Sequence, residues 1–406
     1  MKKPPRNFHP EPFAYHEEVV LDIEDLTNLG QGVGRKDGWV VFVPFALPGE
    51  RVLARVWRNK KSYSEADLVE ILEPTSDRVD PPCPLFGACG GCQYQHYSYP
   101  AQLLWKQRQI KQLLVKMAGL DTEVNPCLGC PDHIYHYRSK ITPHFRRPPT
   151  VPGTPIGFQK ADSRAIVDVP QCPIASPAIN DALGPARKKL RTGEMVFRKG
   201  GTLLMRDSVD GVVNDMKATA CERVGEATFQ FVAGEFFQNN PHVLPKMVDY
   251  ALARAKGPDV DFLVDAYCGV GVFAICAHKD FEQVAGIEVS ERAVELAREN
   301  ARMNSIGNVE FSLGTAAAVF DGLSFSPGRT AVLMDPPRKG SDGEFLSQLL
   351  AFGPRRIVYV SCGPDTQARD IRILLEGPYV VTDVQPVDLF PQTRHIENII
   401  TMERRD

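Results

Sequence analysis

From residue 261 onward, short apolar runs alternate with stretches of helical periodicity, and this alternation limits the possible folds more than any other feature of the sequence. The pattern is typical of a doubly wound α/β sheet, in which helices cover both faces of a mostly parallel sheet. Ser290 is a good N-cap for a predicted helix over 290–305, and Gly307 lies just beyond its end. Strands are predicted at residues 262–264, 284–287, 309–313, 331–334, 357–360 and 395–402.

The N-terminal part of the chain has a different pattern, with short strands separated by turns, and it predicts a small all-β barrel over 17–74. In the predicted strand 51–57, Arg51 and Arg55 share one face while Val52, Ala54 and Val56 share the other. The basic face fits either a solvated barrel surface or contact with phosphates, and both interpretations stay open. Residues 1–16 are rich in Lys and Pro and predict a flexible tail.

Composition limits the broad class of protein. The chain has 406 residues, of which 43% are hydrophobic and 24% are charged, so two or three domains with ordinary cores are expected. A net charge of -3 argues against a uniformly basic nucleic-acid binder, although local basic patches can still bind phosphates. We find no run of about 20 apolar residues and no apolar core typical of a secretory signal, which predicts a cytoplasmic protein. We expect a monomer.

Between the barrel and the C-terminal α/β domain, the sequence predicts a mixed α+β central domain over 75–235. It starts with a loop rich in Pro, Gly and Cys, and an amphipathic helix over 99–119 follows, which we expect to dock on the catalytic domain. Leu103, Leu104, Ile110, Leu113, Leu114 and Met117 form the apolar pattern of this helix. The C-terminal domain is predicted over 236–406.

Polar residues and glycines follow several of the predicted parallel strands. Ligands of open α/β sheets bind beyond the carboxyl ends of the strands, so these residues form a candidate site. Gly269 and Gly271 follow the first strand, and Glu288 follows the second at a distance suited to hydrogen bonds with ribose hydroxyls. Because a third, phosphate-cradling glycine is missing, the pattern favours S-adenosylmethionine, which has no pyrophosphate, over NAD. Asp335 and Cys362 follow two later strands.

Cys362 is the candidate nucleophile because it lies at a strand end and is flanked by Gly363 and Pro364. The alternative is a buried cysteine that acts as a small hydrophobic residue. Cys268, in the other glycine loop, is a rival nucleophile that we interpret as packing. Glu397 is the best candidate for a general base, and a surface carboxylate is the alternative there.

Four motifs of this chain resemble those of the RNA 5-methyluridine methyltransferases. They are Asp335-Pro-Pro-Arg338, Ser361-Cys-Gly-Pro364, Phe390-Pro-x-Thr-x-His-Ile-Glu397 and Phe236-Phe-Gln238-x-Asn240. The segment Leu29-Gly-Gln-Gly-Val-Gly-Arg35 through Leu47-Pro-Gly-Glu50 is similar to the TRAM domain, an OB-like RNA-binding barrel. The resemblance covers nearly the whole chain and implies a C-terminal Rossmann-like class I methyltransferase domain.

The resemblance also implies a reaction and roles for individual residues. C5 of uracil is a poor nucleophile, so a thiolate must add to C6 before C5 can take a methyl group, and a base must then remove the C5 proton. By resemblance, Cys362 is the nucleophile and Glu397 the base. The residues implied to contact S-adenosylmethionine are Gln238, Tyr267, Glu288 and Asp335. Val272 and Thr315 depart from the family pattern, which leaves cofactor contacts at those two positions open.

Four cysteines suggest a metal centre in the central domain. Cys83-x5-Cys89-x2-Cys92 and the distant Cys172 could close a zinc site or hold a 4Fe-4S cluster. A second zinc possibility pairs Cys89 and Cys92 with Cys127 and Cys130. Resemblance to the cluster-bearing members of the family implies a 4Fe-4S cluster held by Cys83, Cys89, Cys92 and Cys172.

RNA is the expected partner because aromatic and basic residues interleave in Tyr135-His-Tyr137-Arg138-Ser-Lys140, and Arg187 lies in a further basic run. The TRAM domain and the cysteine cluster together favour a uridine in 23S ribosomal RNA as the target. Transfer RNA is the close alternative. A cytidine-C5 methyltransferase and a non-catalytic iron-sulfur RNA-binding protein are the other candidates.

Overall fold

The computed structural model describes residues 4–5, 8–314, 319–320 and 322–405. The chain divides into two compact units. The first unit contains residues 1–102, 158–167 and 392–394, and the second contains residues 103–157, 168–391 and 395–406. Within the described ranges, no helix is both long and apolar enough to cross a membrane.

The first unit contains a closed five-stranded barrel with the strand order β1-β2-β3-β5-β4, which confirms the predicted barrel. Buried and exposed residues alternate along its strands, so one face of each strand fills the barrel core. Gly32 is required by close packing, because a Cβ atom there would lie 2.8 Å from the Ala46 carbonyl oxygen. The strands are β1 (Glu18–Leu26), β2 (Gln31–Lys36), β3 (Trp39–Pro44), β4 (Arg51–Asn59) and β5 (Tyr63–Glu73).

The segment before β1, which the sequence assigns to a flexible tail, contributes to the barrel. Phe13 is buried in the barrel core. The side-chain amide of Asn59 donates hydrogen bonds of 2.7 Å to the carbonyl oxygens of both His9 and Phe13. Sequence periodicity does not reveal this contact, because a single Phe among prolines forms no repeating pattern.

The arginines of the basic barrel face pair with acids on neighbouring strands. Arg55 lies 2.8 Å from Glu18, and Arg51 lies 3.5 Å from Glu73. Exposed pairs of this kind add little stability, but they balance the local charge. The pairing favours the solvated-surface interpretation for these two arginines.

Helix α1 (Tyr99–Leu113) buries only part of its predicted apolar pattern. Leu104 is 67% exposed, whereas Lys106 and Ile110 are buried. Ile110, together with Leu114 in the π-helical turn that follows, packs in one hydrophobic cluster with strands and helices of the second unit. The buried face therefore combines polar and apolar side chains, which the pattern of leucines cannot reveal.

Short strands and one longer helix follow α1. Arg187, on this helix, is buried and donates hydrogen bonds to the carbonyl oxygens of Ile156 and Val169, so its role is structural. The elements are β6 (Lys140–Ile141), β7 (His144–Phe145), β8 (Gly157–Gln159), β9 (Ile166–Asp168), α2 (Pro177–Thr192), β10 (Gly201–Thr202), β11 (Met205–Arg206), β12 (Thr219–Val224) and β13 (Ala227–Val232).

The C-terminal part of the chain forms a seven-stranded sheet with the order β16-β15-β14-β17-β18-β20-β19, which confirms the predicted α/β domain. One hydrophobic cluster covers each face of the sheet, as doubly wound topology requires. Its elements are α3 (Leu244–Ala255), β14 (Phe262–Ala266), α4 (Val272–Cys276), β15 (Gln283–Glu288), α5 (Glu291–Met303), β16 (Val309–Leu313), β17 (Thr330–Met334), α6 (Gly343–Phe352), β18 (Arg356–Ser361), α7 (Pro364–Leu374), β19 (Tyr379–Val387) and β20 (Glu397–Arg404).

One strand, β20, runs opposite to the other six, because it pairs antiparallel with both β18 and β19. Strand β20 runs antiparallel to β18 and pairs Asn398 with Ser361. Strand β19, which was not predicted from the sequence, is one of the two edge strands and contains Pro386. Proline is tolerated at a sheet edge because it has no backbone N–H to donate to a neighbour. The antiparallel direction of β20 places its first residue, Glu397, at the carboxyl ends of the parallel strands.

Candidate active site

Four parallel strands, β14, β15, β17 and β18, end at one edge of the sheet, and a predicted site residue ends or directly follows each of them. Tyr267 and Asp335 follow two of them, Glu288 ends a third, and Cys362 follows the fourth. Glu397 begins β20 beside the end of β18, since its neighbour Asn398 pairs with Ser361. The sheet therefore brings the candidate nucleophile and the candidate base to the same edge.

Burial and mutual charge dominate the electrostatics of this edge. Burial raises the pKa of the Cys362 thiol to about 12, and the charges of Glu397 and Asp335 add to the rise. The pKa of Glu397, which is almost fully buried, is raised to about 8 by burial and by Asp335. Burial raises the pKa of Asp335 to about 7. The three groups thus interact, as paired acid-base groups in active sites do.

Arg338 opposes these shifts. Its positive charge lowers the pKa of both Cys362 and Glu397 and so favours the thiolate and the carboxylate. Its carbonyl oxygen accepts a 2.9 Å hydrogen bond from the Thr366 hydroxyl on α7. Arg338 ends the Asp335-Pro-Pro-Arg338 motif, and its position in the sequence predicts no role for it.

Cys268, the rival nucleophile, is packed in the core. It is 7% exposed, and burial raises the pKa of its thiol well above the usual value. A Cβ atom on Gly286 would lie 3.2 Å from its sulfur. A thiol so enclosed cannot reach a base in the RNA, and the packing interpretation therefore fits.

The glycine turn after β14 and the carboxylate of Glu288 form one structure. The backbone N–H of Gly269 donates to Glu288 Oε2 at 3.0 Å, and the N–H groups of Val289 and Ser290 donate to Oε1 at 2.8 and 2.9 Å. Gly271 has φ of +89°, and a Cβ atom there would lie 2.7 Å from the Phe311 ring. The turn therefore needs glycine for both its conformation and its packing.

The remaining cofactor candidates differ in how firmly the structure fixes them. Tyr267 has φ of +65°, which is rare outside glycine, and its hydroxyl lies 3.4 Å from the Ser341 hydroxyl. Gln238 is half-buried on the loop between β13 and α3. Val272 begins α4 and packs against the core. Thr315 lies outside the described residues.

The residues at this edge fit a cationic cofactor. Asp265 is fully buried, and its Oδ1 atom has no hydrogen-bond partner among the described residues. The charges of Asp335 and Glu288 further raise the pKa of Asp265, after burial itself. A cation would relieve this concentration of carboxylates. S-adenosylmethionine carries a sulfonium and an ammonium group, and the donor set therefore suits it.

The arrangement of the cysteines that are predicted to hold a cluster gives no comparable support for a metal. Burial raises the pKa of the Cys89 thiol, and the nearby Cys83 adds to this effect. Yet among the described residues, no group of three or more His, Cys, Asp or Glu side chains could hold a metal ion. The structure thus lends no support to a metal centre at Cys83, Cys89, Cys92 and Cys172, or at the alternative pair Cys127 and Cys130.

The segment expected to contact RNA is partly structural. Tyr137 is buried, and its hydroxyl donates a 3.0 Å hydrogen bond to the Pro391 carbonyl oxygen, so it cannot stack on a base. The Lys140 ammonium donates to the carbonyl oxygens of Gly234 and Glu235 at 3.1 and 3.0 Å. In contrast, Phe236 on the adjoining loop is 75% exposed. The expectation of aromatic contact with RNA therefore fits Phe236 better than Tyr137.

Two family models match this chain. The TRAM domain matches residues 16–69, and the tRNA (Uracil-5-)-methyltransferase family matches residues 218–405. A tRNA (uracil(54)-C(5))-methyltransferase of Schizosaccharomyces pombe is 39% identical, with 97% of this chain and 79% of the relative covered. An uncharacterised RNA methyltransferase of Halalkalibacterium halodurans is 32% identical, with 97% of this chain and 99% of the relative covered.

A solved structure has the same fold over most of the chain. It is a Pyrococcus abyssi tRNA (uracil-54, C5)-methyltransferase in complex with S-adenosyl-L-homocysteine, with a TM-score of 0.73, 23% identity, and coverage of 95% of this chain and 100% of that one. The strand-end residues, the family match and the relatives agree with one another. The chain therefore belongs to the RNA 5-methyluridine methyltransferase family and is an S-adenosylmethionine-dependent RNA (uracil-C5-)-methyltransferase.

Proposed function

We propose that this enzyme methylates uracil 54 of transfer RNA. The observation that carries the proposal is the 39% identity, over 97% of this chain, to an enzyme whose name specifies that base. A Saccharomyces cerevisiae relative with the same name is 31% identical and supports the same choice. The combination of barrel and cysteines in the sequence favours 23S ribosomal RNA as the substrate. The relatives favour transfer RNA instead, which thus becomes the leading substrate.

In the proposed mechanism, the Cys362 thiolate adds to C6 of the uracil and forms a sulfur–carbon bond. The electron pair of the C5–C6 double bond moves into an enolate, which makes C5 nucleophilic. When bound, S-adenosylmethionine supplies the methyl group that C5 takes up. Arg338 assists the addition because its positive charge favours the thiolate.

Glu397 completes the proposed reaction. Its carboxylate takes the proton from C5, the electrons of that C–H bond restore the C5–C6 double bond, and the thiolate of Cys362 leaves. The nearly complete burial of Glu397 supports this role, since burial brings the pKa of its carboxyl group to about 8, near working pH. Tyr267, Glu288 and Asp335, with Gln238, are the residues that we propose to hold the cofactor.

The choice of RNA can be tested by methyl transfer to unmodified transcripts. We expect a labelled methyl group to enter a tRNA transcript, and replacement of U54 by C in that transcript to remove the incorporation. A 23S ribosomal RNA transcript serves as the competing substrate. Incorporation into the ribosomal transcript alone, or into the tRNA with C at position 54, would contradict the proposed substrate.

The 4Fe-4S cluster stays a prediction that rests on cysteine spacing and resemblance. If Cys83, Cys89, Cys92 and Cys172 hold it, anaerobic preparations should be brown and contain about four iron atoms per chain. Cys89→Ser should then lose the iron, whereas Cys127→Ser, outside the set, should keep it. Iron and zinc analysis measures both, and a colourless preparation with stoichiometric zinc would exclude the cluster.

A further inference from the structure

A fully buried ion pair joins helix α1 to the end of β19. The Lys106 ammonium lies 2.6 Å from Asp388 Oδ1, and both side chains are 0% exposed. Removal of two charges from water carries a large free-energy cost, and apolar residues of similar volume often stabilise a core equally well or better. Stability alone therefore gives a poor reason for this pair.

The pair lies in the connection that leads to Glu397. Asp388 directly follows Val387, which is the register partner of Glu397 in the β19–β20 pair. The Lys106 ammonium also lies 3.4 Å from the Phe390 carbonyl oxygen. Lys106 thus contacts the chain at two points of the turn that ends in the candidate base.

Two further buried side chains hold the same turn. The amide of Asn240 donates a 2.9 Å hydrogen bond to the Leu389 carbonyl oxygen, and the Tyr137 hydroxyl donates a 3.0 Å bond to the Pro391 carbonyl oxygen. Each comes from a different part of the second unit. The turn is therefore fixed by buried polar contacts, as expected for a segment that must hold a reactive group in one geometry.

The charge of Lys106 also acts on Glu397. The charged groups that act on this carboxyl group are Asp335, which opposes its ionisation, and Arg338 and Lys106, which favour it. The Cys362 thiol is affected by Glu397, Asp335 and Arg338. Arg338 lies on the loop that follows β17, whereas Lys106 acts from helix α1. Because the site is buried, neither charge is screened as it would be in water.

We propose that Lys106 is a positioning residue for Glu397. It anchors the β19–β20 turn through Asp388 and Phe390, and it keeps a positive charge near the carboxylate. The proposal rests on the role assigned to Glu397 under the proposed function. Lys106 does not touch the RNA or the cofactor in this role. Asp388 keeps Lys106 in place and balances its charge.

The test compares two variants that differ only at residue 106. Asp388→Asn keeps the Lys106 charge, and the double variant Lys106→Met with Asp388→Asn removes it without leaving an unpaired buried carboxylate. The rate of C5 proton release from tritiated uridine in RNA is measured against pH. The acid limb is the part of this profile in which the rate rises with pH as Glu397 ionises. We expect the acid limb of the double variant to lie about one pH unit above that of Asp388→Asn. At a pH below both limbs, the double variant should release the proton about tenfold more slowly.

A second readout separates this proposal from the proposed function. RNA with 5-fluorouridine lacks the C5 proton, so its covalent capture needs Cys362 but not the base, and we expect both variants to form the adduct. Coincident acid limbs in the two variants would overturn the role of Lys106. A wild-type enzyme that captures no 5-fluorouridine RNA would overturn the proposed function and this inference together.

Folding of the variants is checked by thermal unfolding. Lys106→Gln in the same Asp388→Asn background is the second neutral variant if the methionine variant does not fold. Lys111→Met is the matched control on the same helix, because Lys111 pairs with Asp121 at an exposed position. We expect its pH profile to equal that of the wild type, and a shift as large as that of the double variant would contradict a local effect of Lys106.

Discussion

Cys362→Ala is expected to abolish both methyl transfer and covalent capture of 5-fluorouridine RNA. Without the sulfur no bond to C6 can form, so C5 stays a poor nucleophile, and we expect a loss on the order of 10⁴-fold or more. The residue is half-buried, and the truncation removes only a sulfur atom, so thermal unfolding should change little. Denaturing gel electrophoresis of the RNA–protein adduct and incorporation of labelled methyl groups measure the effect.

Two other cysteines provide controls for this experiment. Cys276 has a thiol whose pKa is raised to about 12 by burial, as for Cys362, and Cys276→Ala should keep full capture. Cys268→Ala tests the rival nucleophile and should also keep capture, because that thiol is enclosed by the core. Adduct formation by Cys362→Ala, or its loss in Cys268→Ala alone, would move the nucleophile to another residue.

Glu397→Gln is expected to stall the reaction after methyl transfer. The amide cannot accept the C5 proton, so RNA with ordinary uridine should accumulate as a covalent complex with Cys362, and turnover should fall by about 10²- to 10⁴-fold. Glu403→Gln is the control on the same strand, since that carboxylate pairs with Arg356 at 3.1 Å. Normal turnover by Glu397→Gln would show that another group removes the proton.

The ionisation of Glu397 gives the pH dependence of both the reaction rate and the stability a defined sign. The base must be ionised to accept a proton, and its pKa is raised to about 8, so the wild-type rate should rise with pH through that value. The same shift means that the folded state binds more protons than the unfolded state between the ordinary carboxyl pKa and about 8. Stability should therefore fall across this window as pH rises, and less steeply in Glu397→Gln. Equal slopes in thermal unfolding would contradict the raised pKa.

Much of the site could be predicted because its residues follow strands. Alternation of apolar runs and helices indicates parallel strands, and parallel strands end at one edge, so Glu288, Asp335 and Cys362 can be grouped from their positions in the sequence alone. The helix α5 shows the same predictability, since its N-cap Ser290 accepts a hydrogen bond from the Ala293 N–H at the predicted position. Such features depend on neighbours in the sequence.

Lys106 could not be found in this way. Its place on helix α1 is buried, but the predicted apolar pattern of the helix spreads over more than one face, and Leu104 of that pattern is exposed. The one clue in the sequence is that Lys106 lies four residues before Ile110 and so shares its face. A lysine is rarely fully buried unless it is paired, and its partner Asp388 lies 282 residues away in the sequence.

The sequence by itself determined the barrel, the doubly wound sheet, and Cys362 as a cysteine at a strand end, because these depend on periodicity and on turn residues close together in the chain. Only the tertiary structure decided that β20 runs antiparallel and so brings Glu397 beside Cys362. It also decided that Lys106 forms a buried pair with Asp388. Strand direction and buried charge pairs depend on contacts between residues far apart in sequence, and local patterns carry no record of such contacts.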